Sequence, residues 1–227
     1  MGRRSAAETR QLLLDTAVGL LHEQGPAAGV LHIRLSDVVA RAGLTTGAAY
    51  RLWSDQRDFH DDLAIAALRW RDRSLMTKTT DAIAPVVRSG GSLADVLRAG
   101  AEANVQRMPE DVGILVTLAL RAAAYRQPSL LRAAAERRQD AVASFGDLYG
   151  RMMQRFGRRL RPPFTMEHLC AAFTAVVEGF GVQTATGDGH PSVRLPEEGG
   201  REWTLLGVCL AALVDRFTEP GEEPAPA

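Results

Sequence analysis

An all-α fold is what this sequence predicts, on three observations. Apolar residues recur at helical spacing along nearly the whole chain, and no stretch sustains the period-2 alternation of a half-buried strand. Gly and Pro punctuate the pattern at intervals that suit ordinary helices. The expected arrangement is a group of three short helices at the N-terminus, then a larger helical bundle.

The first helix opens at Ser5-Ala6-Ala7-Glu8, a capping-box spacing in which hydroxyl and carboxylate each satisfy an orphan amide. Leu13, Ala17, Leu20 and Leu21 form its apolar face, and Gly25-Pro26 ends it. Two short helical patterns follow, Leu35 to Ala42 and Thr46 to Leu52, joined by Gly43-Leu44-Thr45. Helices that short are marginal alone and must be held by neighbours. A longer helix starts at Asp55, a plausible N-cap, with the stripe Phe59, Leu63, Ala66, Ala67, Trp70. Beyond Pro85 and Gly90-Gly91, helices are expected over 92–107, 110–126, 129–160, 165–186 and 202–218, with a loop from Gly187 to Gly200. The domain boundaries that follow are 1–54, a linking helix over 55–80, a second domain over 81–218 and a disordered tail over 219–227.

Composition limits the function. With 227 residues, 46 % hydrophobic and 24 % charged, the chain is globular, and no apolar run approaches the roughly 18 residues of a membrane span. The start leads into a charged helix rather than a signal-peptide core, so a cytoplasmic location is expected. Cys170 and Cys209 sit in apolar helical stretches outside any Cys-x-x-Cys pair and read as buried thiols, so no metal and no cofactor is expected. Net charge is zero, although residues 1–53 carry six Arg (3, 4, 10, 34, 41, 51) against Glu8, Asp15, Glu23 and Asp37, a local +2. That excess alone does not point to nucleic acid.

The segment from Leu35 to Trp53 does. Short helix, Gly-containing turn and second short helix have the form of a helix-turn-helix. Gly43 allows the positive φ of a tight turn, and Leu44 re-enters the core. Val38, Val39, Ala42, Leu44, Ala49 and Leu52 supply the apolar wedge. Thr45, Thr46, Gly47, Ala48, Tyr50 and Arg51 are left facing outward, small or hydrogen-bonding, as backbone approach to phosphate and readout of base edges require. A short helix pair with a Gly turn is also a packing corner in many bundles. The first helix and the capped helix that follows, both in register, favour DNA.

The run from Gly43 to Phe59 resembles the signature of TetR-family transcriptional regulators, in which a turn Gly-Val-Ser leads into Gly-x-x-Tyr, an aromatic, and a helix opened by Ser-Lys-Glu-x-Leu. The motif covers roughly residues 5–65. The resemblance implies a recognition helix over Thr46–Leu52 capped by Thr45, with Tyr50 at a phosphate or base methyl, Arg51 at a phosphate or guanine, and Asp55-Gln56 near the DNA backbone. Gln56 stands where the family has Lys, Leu52 where it has an aromatic or His, and Val39 where a small Ala is usual. The loop from Gly25 to Arg34 is also a few residues long for the family. Arg3, Arg4 and Arg10 read as a DNA-binding arm or as a solvated helix start.

The last two helices carry more apolar surface than one face needs. Leu169, Phe173, Val176, Val177, Phe180 and Thr184 form one stripe, and Leu206, Cys209, Leu210, Leu213 and Phe217 the other, with Ala171, Ala172, Ala175 and Gly179 allowing close approach. The resemblance implies that these helices pair across a homodimer through Phe173, Val177, Phe180, Leu206, Leu210, Leu213 and Phe217. The other reading sends both stripes into the chain's own core. A small-molecule effector is implied between residues 75 and 180, with Met108, Leu118, Tyr125, Phe145, Tyr149, Met152 and Met153 as candidate lining, although such residues at helical spacing also serve as plain core. The run Arg151, Arg155, Arg158, Arg159, Arg161 reads as a solvated face.

The expected function is a ligand-responsive DNA-binding transcriptional repressor, a dimer on a palindromic operator released by a small molecule. Its main alternative is a helical small-molecule-binding protein with weak or lost DNA binding. An enzyme is not expected: the chain has no phosphate loop, nucleotide-binding Gly fingerprint, metal-binding His pair or Gly-x-Ser-x-Gly element, and its five His are scattered.

Overall fold

The computed structural model describes residues 4–25, 29–70, 74–125, 127–187 and 189–221. Among the described residues ten α-helices dominate: α1 (Ala6–Gln24), α2 (Leu35–Arg41), α3 (Thr46–Ala49), α4 (Gln56–Arg69), α5 (Ser74–Arg88), α6 (Leu93–Arg107), α7 (Val112–Ala123), α8 (Pro128–Arg155), α9 (Met166–Ala185) and α10 (Leu205–Phe217). Four short strands accompany them: β1 (Arg158–Leu160), β2 (Ser192–Leu195), β3 (Arg201–Thr204) and β4 (Thr218–Pro220). None of the described helices is long and apolar enough to cross a membrane.

The chain divides into two compact units. The first joins residues 1–71 with 112–137, and the second joins 72–111 with 138–227. The sequence reading kept 81–218 together; the structure instead groups 112–137 with the N-terminal helices. The reason is apolar area. Val116, Leu120, Ala124, Leu130 and Ala133 are buried in one cluster with Leu13, Ala17 and Leu21 of α1 and Phe59, Leu63 and Leu68 of α4. Arg69 pairs with Glu136, and Arg137 donates to the carbonyls of Leu68 and Trp70 within the same unit.

The helix expected over 55–80 is two. Trp70 takes an extended conformation (φ −64°, ψ 141°) after α4, and its amide closes the last turn on the Ala66 carbonyl. Ser5 does close its capping box: it accepts from the Glu8 amide at 3.1 Å, and its own amide donates to the Glu8 carboxylate at 2.7 Å.

In the second unit, one cluster gathers Ala101, Met108, Leu169, Phe173, Leu206, Leu210 and Val214, and a smaller one Ile83, Val96 and Leu148. Part of the expected loop 187–200 is strand. β2 and β3 form an antiparallel hairpin, Val193 opposite Trp203, turned through Pro196 and the positive-φ pair Gly199 and Gly200, so the last long helix begins at Leu205 rather than 202. Likewise α8 stops at Arg155, and Arg158–Leu160 pairs with Thr218–Pro220. The tail therefore starts as a strand instead of being disordered from Glu219; residues 222–227 lie outside the described residues. Part of the arginine run, Arg158, Arg159 and Arg161, serves this ribbon, while Arg155 reaches α5. Arg158 donates to the Thr218 hydroxyl at 2.6 Å, Arg159 pairs with Glu219 at 3.1 Å, and Arg155 donates to the Val87 carbonyl at 3.1 Å.

Candidate nucleic-acid interface

Helix α2 begins without a cap of its own: Arg34 holds the N-cap position and makes no side-chain cap bond. The missing partner comes from α4. Gln56 Oε1 accepts from the Leu35 amide at 3.0 Å while its Nε2 donates to the Ile33 carbonyl at 2.9 Å, which fixes the orientation of the amide. Buried His60 brings its Nε2 to 2.9 Å from the same carbonyl. Gln56 therefore braces the start of α2 through its amide while remaining exposed.

The turn after α2 follows from Gly43. At φ +65° its amide donates to the Ala40 carbonyl at 3.1 Å and the Leu44 amide to the Val39 carbonyl at 3.0 Å, closing α2's last turn. Thr45 then holds the extended N-cap position of α3, but its hydroxyl makes no capping bond. The helix is shorter than expected, ending at Ala49, and Tyr50–Leu52 continue as turn. Ala49 is fully buried, whereas Thr45, Thr46, Gly47, Tyr50 and Arg51 are exposed and Ala48 is half-buried. Arg51 Nε donates to the Gly47 carbonyl at 3.0 Å, laying the guanidinium back along α3.

Sequence reasoning missed what holds the far end of α3. Trp53 is 2 % exposed, and its Nε1 donates to Asp62 at 2.6 Å. The same carboxylate oxygen receives Arg10 of α1, whose half-exposed side chain thus ties α1 to α4. Arg4 is exposed, and Arg3 lies outside the described residues. Asp55 caps α4 through the Asp58 amide at 2.8 Å, and Asp58 in turn accepts from the Ser54 amide at 3.0 Å. The result is a small outward surface of hydroxyls, one phenol, one guanidinium and bare backbone at Gly47, on a rigid apolar base. Such a surface suits phosphate and base-edge contacts.

The whole arrangement has counterparts among solved structures. A presumed transcriptional regulator from Rhodococcus sp. RHA1 superposes with a TM-score of 0.60 over 92 % of this chain and 94 % of its own, at 13 % identity. A TetR-family transcriptional regulator from Cytophaga hutchinsonii gives 0.52 over 98 % and 100 %, at 15 % identity. A presumed TetR-family regulator from Rhodococcus sp. gives 0.51 over 92 % and 98 %, at 18 % identity. The fold is TetR-like. No family model matches the sequence, and no curated protein matches it.

Within this TetR-like fold the candidate effector residues fall in two groups. Leu118 and Tyr125 belong to the first unit, where Leu118 is half-buried and Tyr125 is 74 % exposed, so Tyr125 lines no interior there. Met108, Phe145, Tyr149, Met152 and Met153 belong to the second. Tyr149 stacks with Phe145 at 6.0 Å and meets Phe173 edge-on at 5.0 Å, and Met152 packs on the Ile83 cluster. Burial, with a smaller effect of Cys170, pushes the Tyr149 phenol up, and burial pushes the Cys170 thiol up to about 11. Both stay uncharged near neutral pH, as apolar surroundings require.

The candidate dimer residues differ in burial. Phe173, Leu206 and Leu210 are 6 %, 0 % and 7 % exposed within their own unit, and Val177, Phe180, Leu213 and Phe217 pack on that same cluster. Leu169, Phe173, Leu206 and Leu210 face inward, and the other stripe residues stay partly exposed. Among the residues α9 exposes are Ala171, Thr174, Ala175, Gly179 and Val182 beside Glu167, His168, Gln183 and Ala185, and α10 exposes Ala212, Asp215 and Arg216.

Proposed function

We propose that the chain is a transcriptional regulator that binds a palindromic operator as a homodimer through α2 and α3, represses there, and is released by a small molecule in the cytoplasm. The observation that carries this reading is the surface around α3. Ala49 and Trp53 anchor it, Gly43 forms the turn from α2, whose start Gln56 braces, and Thr45, Thr46, Gly47, Ala48, Tyr50 and Arg51 are left to reach DNA. A two-fold dimer would set two such surfaces about 34–36 Å apart, one turn of duplex. The exposed small-residue face of α9 supports close pairing with a second copy. An effector releases the dimer if it binds one separation of the two surfaces better than another.

The alternative, a ligand-binding protein with weakened DNA contact, draws on Gln56, whose amide is already used inside the domain, and on the zero net charge. Selection of bound sequences from random double-stranded DNA, repeated across a salt series, separates the two. A regulator enriches a palindrome with steep salt dependence, and Tyr50→Ala with Arg51→Ala weakens operator binding at least about tenfold, a loss of about 1–3 kcal/mol per contact, while the dimer persists. Absence of enrichment by a folded dimer, with and without a metabolite extract, favours the alternative.

A further inference from the structure

Between Ala49 and Phe59 the only buried residue is Trp53, so the stretch that carries Tyr50 and Arg51 hangs on this one ring. Apolar contact, such as its edge-on meeting with Phe59 at 5.2 Å, buries a ring without fixing its rotation. The indole Nε1–H adds that constraint, because a buried donor needs a partner at a defined place. The partner is Asp62 Oδ2 at 2.6 Å, on the second turn of α4. A carboxylate whose side chain is only 22 % exposed calls in turn for a cation. Arg10 of α1 supplies it: its Nε donates to the same Oδ2 at 3.1 Å, and its Nη2 is bonded there as well. Two donors on one acceptor atom are coupled, since removing Arg10 frees the oxygen that the indole follows.

We infer that Arg10 is a positioning residue for Tyr50 and Arg51, acting from α1 through Asp62 and Trp53 rather than by touching DNA. The backbone carries the position onward. The Trp53 amide donates to the Ala49 carbonyl at 3.1 Å and the Leu52 amide to the same carbonyl at 2.8 Å, so a rotation of the indole is passed to the turn over Tyr50–Leu52. Arg10 is half-exposed, but its Nε and Nη2 are engaged by Asp62, and a phosphate would have to compete with that pair. The inference rests on the regulator reading above in taking Tyr50 and Arg51 as DNA contacts. Its first measurement contains no DNA, so the two fail separately.

That measurement compares backbone-amide and indole N–H resonances of the full-length protein in wild type, Arg10→Gln and Arg10→Lys, with Trp53→Phe assigning the indole signal. Arg10→Gln should shift the Trp53 indole and the amides of Tyr50, Arg51 and Leu52. Arg10→Lys, which keeps a cation beside Asp62, should restore most of both. Shifts confined to α1 and the indole would overturn the inference and leave Arg10 a contributor to stability alone. The second measurement is the affinity of the folded protein for the DNA sequence that selection enriches. Arg10→Gln should weaken binding about fivefold or more when Trp53 is present, and add nothing to Trp53→Phe, the non-additivity expected of residues acting in series. Equal losses in both backgrounds, with the salt slope lowered by about one, would instead make Arg10 a phosphate contact and overturn the inference. Asp62→Asn, which removes the charge that Arg10 pairs with, replaces Trp53→Phe if that variant does not fold. If selection enriches no sequence, the regulator reading fails, and the resonances alone decide whether Arg10 positions the turn.

Discussion

Asp95 joins two parts of the second unit. It closes the capping box of α6, accepting from the Ser92 hydroxyl at 2.6 Å and the Ser92 amide at 3.0 Å, and it receives Arg201 of β3. The Ser92 hydroxyl, the Ser92 amide and then Arg201 hold its carboxyl at about 2, below the usual 3.8. The folded state thus binds this proton more weakly than the unfolded chain. The resulting stability is complete above the unfolded value and is lost as pH falls through the folded one. Urea denaturation of wild type and Asp95→Asn should therefore differ by a constant amount from neutral pH to about 4.5, with the gap closing between about pH 4 and 2; a gap independent of pH would refute the linkage. Local bonds such as that of Ser5 with Glu8 are legible because three residues separate the partners. Arg201 and Asp95 stand 106 apart, and nothing in either segment names the other. Gln56 shows the same limit: its departure from the family pattern is visible in sequence, its place across from Leu35 is not.

Element boundaries follow from how strongly each segment signals itself. The helix-turn-helix is legible because Gly43 has one job that other residues do badly. At φ +65°, with nothing within 4 Å of an added Cβ, Gly43→Ala meets backbone strain alone. It should cost about 1–2 kcal/mol, a fall in Tm of about 2–4 °C per kcal/mol for a chain of this size, with Gly43→Asn milder; an unchanged melting curve would show that the turn relaxes freely. The strands were invisible for the opposite reason. Ser192–Leu195 and Arg201–Thr204 are four residues each, and Arg158–Leu160 and Thr218–Pro220 three, too short for a period of two to stand out from helical background. β1 in particular reads as the end of α8 until Thr218 is known to lie opposite Leu160.

For the whole molecule, the apolar stripes of α9 and α10 were recognisable but their direction was not, because periodicity marks a face without saying what it meets. The structure turns Phe173 and Leu210 inward, which leaves a small-residue face on α9 for the proposed second copy. Ala175→Arg should convert a dimer into monomers in light scattering while preserving the helical circular dichroism. Phe173→Ala should instead lower stability by about 3–5 kcal/mol as a core truncation. A dimer that survives Ala175→Arg would move the interface elsewhere. The interleaving of the two units, residues 1–71 with 112–137, also sets an order of events during synthesis. When the ribosome has made the helix-turn-helix, the wall formed by Val116, Leu120, Ala124, Leu130 and Ala133 does not yet exist. At roughly 5–20 residues per second the nascent chain waits about 4–16 s for it, holding Leu13, Phe59 and Leu63 in an unfinished core. A chaperone meeting the nascent chain in that interval finds a helix-turn-helix that cannot yet be held in shape.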